Sequence, residues 1–130
     1  MSTRAVVKFC YGKEVAATIY RHSDGYPEGL GKDLHQFFAE VEEETNDTRF
    51  DHADYLAAKW VVWDSQQGDA IRLDFLGVGI VAHDPADIEY QYLLDCENLT
   101  EGRPTITIKK RQGWERPRWI TVEDTSLAAA

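Results

Sequence analysis

The eight residues Ile88-Glu89-Tyr90-Gln91-Tyr92-Leu93-Leu94-Asp95 place apolar side chains at 88, 90, 92 and 94 and mostly polar ones between them. Successive side chains of a strand point to opposite faces, so a period of two predicts a strand with one buried face. Such a face must be covered, and the chain carries its own cover. Leu34, Phe37, Phe38 and Val41 fall at i, i+3, i+4 and i+7, one apolar stripe on a first helix. Ala53, Leu56, Ala57, Trp60 and Trp63 line one side of a second helix, which Asp51 is placed to cap. Glu40, Glu42, Glu43 and Glu44 crowd the negative end of the first helix dipole, so its last turn should fray or the helix should run on past Glu44.

Other strands follow from the same pattern. Residues 5–11 and 14–20 are β-prone and flank Gly12-Lys13, a hairpin signal. Ile71, Leu73 and Phe75 alternate with Arg72 and Asp74, residues 76–82 read as a strand weakened by Gly77 and Gly79, and residues 105–109 and 119–123 complete the set. The order β-β-α-α-β-β-β-β predicts an α+β fold in two layers: an antiparallel sheet of five or six strands with two helices on one face, the other face left for solvent or a partner. The length of 130 residues suits one such domain over residues 1–125, with 126–130 expected as a disordered tail.

No apolar run nears the ~18 residues of a membrane span, and Met1-Ser2-Thr3-Arg4-Ala5 lacks a secretion signal's apolar core, so a soluble cytoplasmic protein is expected. Cys10 and Cys96 form no CxxC pair and read as small buried hydrophobes. His22, His35, His52 and His83 show no metal-ligand spacing, and neither metal nor cofactor is expected. Gly77-Val78-Gly79 lacks the third glycine and following helix of a dinucleotide fingerprint, which leaves close packing or a bulge as its purpose. The net charge of −9 weighs against nonspecific nucleic-acid binding.

Chemically capable residues concentrate in Tyr20-Arg21-His22-Ser23-Asp24-Gly25-Tyr26-Pro27-Glu28-Gly29. Two readings stand. In the first this is a structured turn: Asp24-Gly25 is a frequent turn pair, Pro27 fixes φ near a helix start, Gly29 and Gly31 allow a strained path into the helix, and Arg21 pairs with Asp24 or Glu28. In the second it is a ligand site: amides at the helix N-terminus and the Arg21 guanidinium receive an anion, Tyr26 offers a flat face for a base or sugar, and His22 and Asp24 complete the rim. Glu28 and Asp33 oppose an anion there. A catalytic role for His22 and Asp24 lacks a nucleophile, a metal or an oxyanion site, so a non-enzyme is expected, with a small nucleotide-processing enzyme as the alternative.

Together with Gly31 and Leu34, Tyr55-Leu56-Ala57-Ala58, Leu76-Gly77-Val78-Gly79 and Asp87-Ile88-Glu89-Tyr90-x-Tyr92, this ten-residue motif resembles a family of small phage and prophage proteins, largely uncharacterised. The resemblance covers about residues 15–95. It implies a phage or mobile-element origin, where small acidic non-enzymatic proteins often block host defence. Some inhibit CRISPR effectors, and others, such as the anti-Thoeris proteins, sequester cyclic nucleotide signals. The expected partner is accordingly a host defence protein or a cyclic nucleotide signal in the cytoplasm of a host bacterium, with a structural or interaction protein of the virion as a further alternative.

Lys109-Lys110-Arg111-Gln112-Gly113-Trp114-Glu115-Arg116-Pro117-Arg118-Trp119 holds five bases and one acid in an otherwise acidic chain. This is a solvated strand end whose tryptophans fold back onto the core, or it is a rim where Arg116 and Arg118 hold phosphates while Trp114 or Trp119 stacks on a base. Arg21 and Tyr26 join that rim if the final strand lies near the opening hairpin. Residues 28–54 carry nine acids and two bases. Glu42, Glu43 and Glu44 there either solubilise an outer face or meet a partner's basic surface, including the basic segment of a second copy in a homodimer.

Overall fold

In the computed structural model, which describes residues 3–67, 76–116 and 118–124, β1 (Ala5–Tyr11) and β2 (Glu14–Arg21) form the expected hairpin. Gly12 supplies φ +63° at the turn, a backbone geometry that costs a glycine little. The chain then passes through a π-helical turn at Pro27–Gly31 into α1 (Lys32–Glu44) and α2 (Ala53–Ser65). It returns as the short β3 (Val78–Ile80), followed by β4 (Tyr90–Thr100), β5 (Arg103–Gln112) and β6 (Arg118–Asp124).

The six strands form one sheet in the order β3-β2-β1-β4-β5-β6, an α+β fold with the helices packed on one face. Every neighbouring pair is antiparallel except β1 and β4, which run parallel with Ala5 opposite Tyr90 and Phe9 opposite Leu94. The sheet is therefore mixed rather than wholly antiparallel. The cause is the link at 81–89. β3 lies antiparallel to β2 and so runs with β1, and a crossover back over the sheet delivers β4 in the same direction.

That crossover lies on the face away from the helices, which is not simply left open. The Val81 N–H donates to the Thr18 carbonyl at 3.1 Å, Lys8 pairs with Asp84 at 3.0 Å, Arg4 pairs with Asp87 at 2.7 Å, and the Glu89 N–H donates to the Arg4 carbonyl at 2.8 Å. Val6 and Ile88 are fully buried outside the helix-side core. On the helix side, Val7, Phe9, Ile19, Tyr92, Leu94 and Ile106 meet Leu34, Phe37, Phe38, Leu56 and Trp60. Trp60 stacks on Trp63 (centroids 5.4 Å apart) and meets Phe37 edge-on at 5.4 Å, and such pairs are worth about 0.5–1.5 kcal/mol each beyond the area they bury.

Two helix boundaries differ from the sequence reading. α1 does not run past Glu44: Thr45 is already extended, and Arg103 of β5 relieves the acidic helix end by a two-point contact with Glu42 at 2.5 and 3.0 Å. Asp51 does not cap α2. His52 occupies that position without a side-chain cap bond, and Asp51 is exposed with an oxygen 3.7 Å from the His52 ring. Cys10 and Cys96 are buried and unpaired, and burial pushes the Cys96 thiol up to about 12. The alternation at 71–75 and the tail at 126–130 lie outside the described residues. Among the described residues, no helix is long and apolar enough to cross a membrane.

Candidate functional site

The 20–29 motif is built as a structural joint. Arg21 ends β2 and reaches the helix layer, with one guanidinium nitrogen 2.6 Å from Asp33 of α1 and the other 3.9 Å from Asp64 of α2. The Arg21 side chain is 13% exposed and that of Asp64 only 8%. Its partners are thus neither Asp24 nor Glu28, and the cation meant for an anionic ligand already holds β2 to both helices. Burial raises the Asp64 carboxyl above the usual carboxylate range, and Arg21 pulls it part of the way back.

The rest of the loop closes on itself. Asp24 takes φ 56°, its carbonyl accepts the Leu30 N–H at 2.8 Å, and its carboxylate accepts the Tyr26 hydroxyl at 3.1 Å. The Gly29 N–H donates to the Tyr26 carbonyl at 2.9 Å, so amides expected to receive an anion serve the loop itself. The Gly25 carbonyl accepts the buried Tyr92 hydroxyl at 2.7 Å, and a Cβ on Gly25 would stand 2.7 Å from the Ala5 Cβ. A Cβ on Gly29 would run into the Asp24 carbonyl, whereas Gly31 has ordinary helical angles. Close approach therefore explains Gly25 and Gly29 in place of a strained path. Nδ1 of His22 lies 2.9 Å from the Tyr20 hydroxyl, and its backbone N–H donates to the Gly77 carbonyl at 3.0 Å. Gly79 has open space around it, so close packing is not its purpose.

The β5–β6 hairpin is organised differently. The register sets Arg111 opposite Trp119, and Gly113 turns the chain with φ +80°. Here the Arg111 guanidinium lies between two indoles, 4.5 Å from the Trp114 centroid and 5.2 Å from that of Trp119. Each contact is worth about 0.5–1 kcal/mol where water has access. The Arg111 Nε is buried without a hydrogen-bond partner, Trp114 is 60% exposed, and Arg116 and Arg118 are exposed. Among the described residues, none of Lys109, Lys110, Arg111, Arg116 and Arg118 forms an ion pair. Three of the expected site residues, Trp114, Arg116 and Arg118, thus share one hairpin with Arg111 at its centre.

The two halves of the expected site do not meet. β6 is the far edge of the sheet, and β1 and β4 stand between β2 and β5, a spacing of about 14 Å at one strand per 4.8 Å. Arg21 also points to the helix face, whereas Arg111 and Trp119 lie on the opposite one. Arg111 was absent from the site expected from sequence, and Trp119 stood there as the alternative to Trp114, although both lie in the basic segment. Their opposition depends on where the hairpin turns.

The acidic helix face carries a second feature. Glu42 is occupied by Arg103, which holds its carboxyl below the usual value, while Glu43 and Glu44 are exposed. Beside Glu44 a groove of about 560 Å³ opens between α1 and α2, floored by Phe37, Val41, Val62 and Trp63. Glu40 on its rim accepts the Trp63 indole N–H at 2.8 Å. Among the described residues, no three His, Cys, Asp or Glu side chains are grouped to hold a metal ion. No known family model, curated protein or solved structure matches the chain.

Proposed function

We propose that the chain is a phage-type, non-enzymatic binding protein that neutralises a host defence component, and that its contact surface is the β5–β6 hairpin. The observation that carries this reading is the Arg111 guanidinium held between Trp114 and Trp119, with Arg116 and Arg118 exposed on the same hairpin. Planar rings fix the Arg111 cation, and the exposed Arg116 and Arg118 offer their N–H edges to an incoming carboxylate or phosphate. Of the two targets, an anionic patch on a defence protein fits better than a free nucleotide. A sequestering site encloses its ligand, whereas these arginines project from an open hairpin. The alternative use of His22 and Asp24 as catalysts has less support, because their side chains engage the Tyr20 and Tyr26 hydroxyls.

Phage plating on bacteria that carry individual defence systems, with and without the chain, tests the reading. Plating restored against one system, and lost with the combined Trp114→Ala, Arg116→Ala and Arg118→Ala substitutions, is the expected result. Restoration unaffected by those substitutions would place the contact elsewhere. Incubation with cyclic nucleotides followed by heat release separates the alternatives: intact recovery indicates sequestration, and altered product indicates catalysis.

A further inference from the structure

The groove between α1 and α2 and the tip of the β5–β6 hairpin are complementary in charge, and each exposes apolar side chains, although they lie on different parts of the molecule. The groove is apolar at its floor and acidic at its rim, where Glu40 and Glu44 outnumber the one neighbouring base, Lys59, whose ammonium already donates to the Thr48 carbonyl at 3.1 Å. Val62 in the floor is 55% exposed, so this surface is unfilled within one copy. The hairpin presents the opposite character: a large aromatic side chain, Trp114, 60% exposed and flanked by arginines without ion-pair partners among the described residues. The helix side of the molecule is acidic and this hairpin concentrates the positive charge, so the best electrostatic match to each surface is the other.

We propose that the hairpin of a second copy occupies the groove, with Trp114 seated on Val41, Val62 and Trp63 and with Arg116 and Arg118 facing Glu40 and Glu44. Burying one tryptophan removes about 150–250 Å² from water, and a hairpin tip covers on the order of 500 Å² in all. One such contact falls short of the ~1,000 Å² expected of a specific interface, and two reach it. The arrangement is therefore a reciprocal exchange about a twofold axis, each copy giving its hairpin and receiving its partner's. It uses the hairpin assigned above to the defence component, so self-association and target binding compete. Self-association is tested on the chain alone, which keeps its failure distinct from failure of the target reading.

Sedimentation velocity of the full chain over a range of concentrations should show a reversible monomer–dimer equilibrium. Trp114→Ser and Val62→Glu change exposed positions, and circular dichroism confirms that each variant folds. Each should weaken dimerisation about thirtyfold or more, the loss expected when a central aromatic anchor is removed. Mixing the two variants is the decisive arm. The Val62→Glu copy still has its hairpin and the Trp114→Ser copy still has its groove, so one intact contact forms and the mixture associates more strongly than either variant alone. A chain monomeric up to about 1 mM, a dimer indifferent to both substitutions, or a mixture no stronger than its components would each overturn the proposal.

Discussion

Replacing Arg21 with methionine keeps the apolar stem and removes the cation between Asp33 and Asp64. Breaking a buried pair by deleting one partner costs about 3–5 kcal/mol, because the other charge is left buried, whereas an exposed pair is worth about 1 kcal/mol or less. The Asp64 arm resembles the first case, at 8% exposure, and the Asp33 arm, at 35%, is partly screened by solvent. Together they give about 2–4 kcal/mol at neutral pH. The cost should depend on pH. Asp64 has its folded pKa raised, chiefly by burial, so its contribution favours folding at low pH and is lost as pH rises through the folded value. Without Arg21 that pKa rises further, so the deficit of Arg21→Met should grow as pH rises from about pH 4, near the ordinary aspartate value, to about pH 7. Asp64→Asn in the same chain should remove most of that growth. Urea unfolding followed by tryptophan fluorescence at both pH values measures each quantity. A loss within about 0.5 kcal/mol at both, or one that does not change with pH, would refute Arg21 as the clamp between β2 and the helices.

Further substitutions probe the core and the loop. Trp60→Ala should cost about 3–5 kcal/mol in unfolding free energy, and Trp60→Phe less than half as much, since the buried indole N–H has no hydrogen-bond partner to lose. Gly25→Ala should cost about 1–3 kcal/mol by thermal or urea denaturation, because its Cβ would meet Ala5 and the Thr3 carbonyl within 2.9 Å. Cys10 and Cys96 should resist a thiol reagent in the folded chain and both react in denaturant. Burial raises both thiols and pushes Cys96 up to about 12, and a rapid native reaction at Cys96 would contradict that.

Where burial alone decides a pattern, the pattern was legible in the sequence. The alternation from Ile88 to Leu94 and the stripes through Phe37 and Trp60 mark one-sided elements, and the helices do cover that side of the sheet. Periodicity has no direction, however, so it could not reveal that β4 runs parallel to β1. Nor could it show that the 81–89 link crosses the second face, held there by the Lys8–Asp84 and Arg4–Asp87 pairs. The 20–29 motif stood out because it is dense in polar residues and glycines, but Arg21 finds its partners 12 and 43 positions away, which only the packing of both helices brings near. The Arg111–Trp119 pairing likewise waits on hairpin register. Trp114, Arg116 and Arg118 are legible in the sequence because their charge and aromatic content contrast with the surrounding acidic chain.

Calorimetry of the chain against the defence component identified by plating tests the hairpin assignment most directly. Losing a charge-assisted contact costs about 1.5–3 kcal/mol, so Arg116→Ala or Arg118→Ala should weaken binding roughly ten- to a hundredfold. Charge reversal at Glu43 and Glu44 should leave the intrinsic affinity for the target nearly unchanged when measured at chain concentrations too low for self-association. Unchanged affinity in both arginine variants, with a large loss on reversing Glu43 and Glu44, would contradict the hairpin as the contact and move it to the acidic helix face.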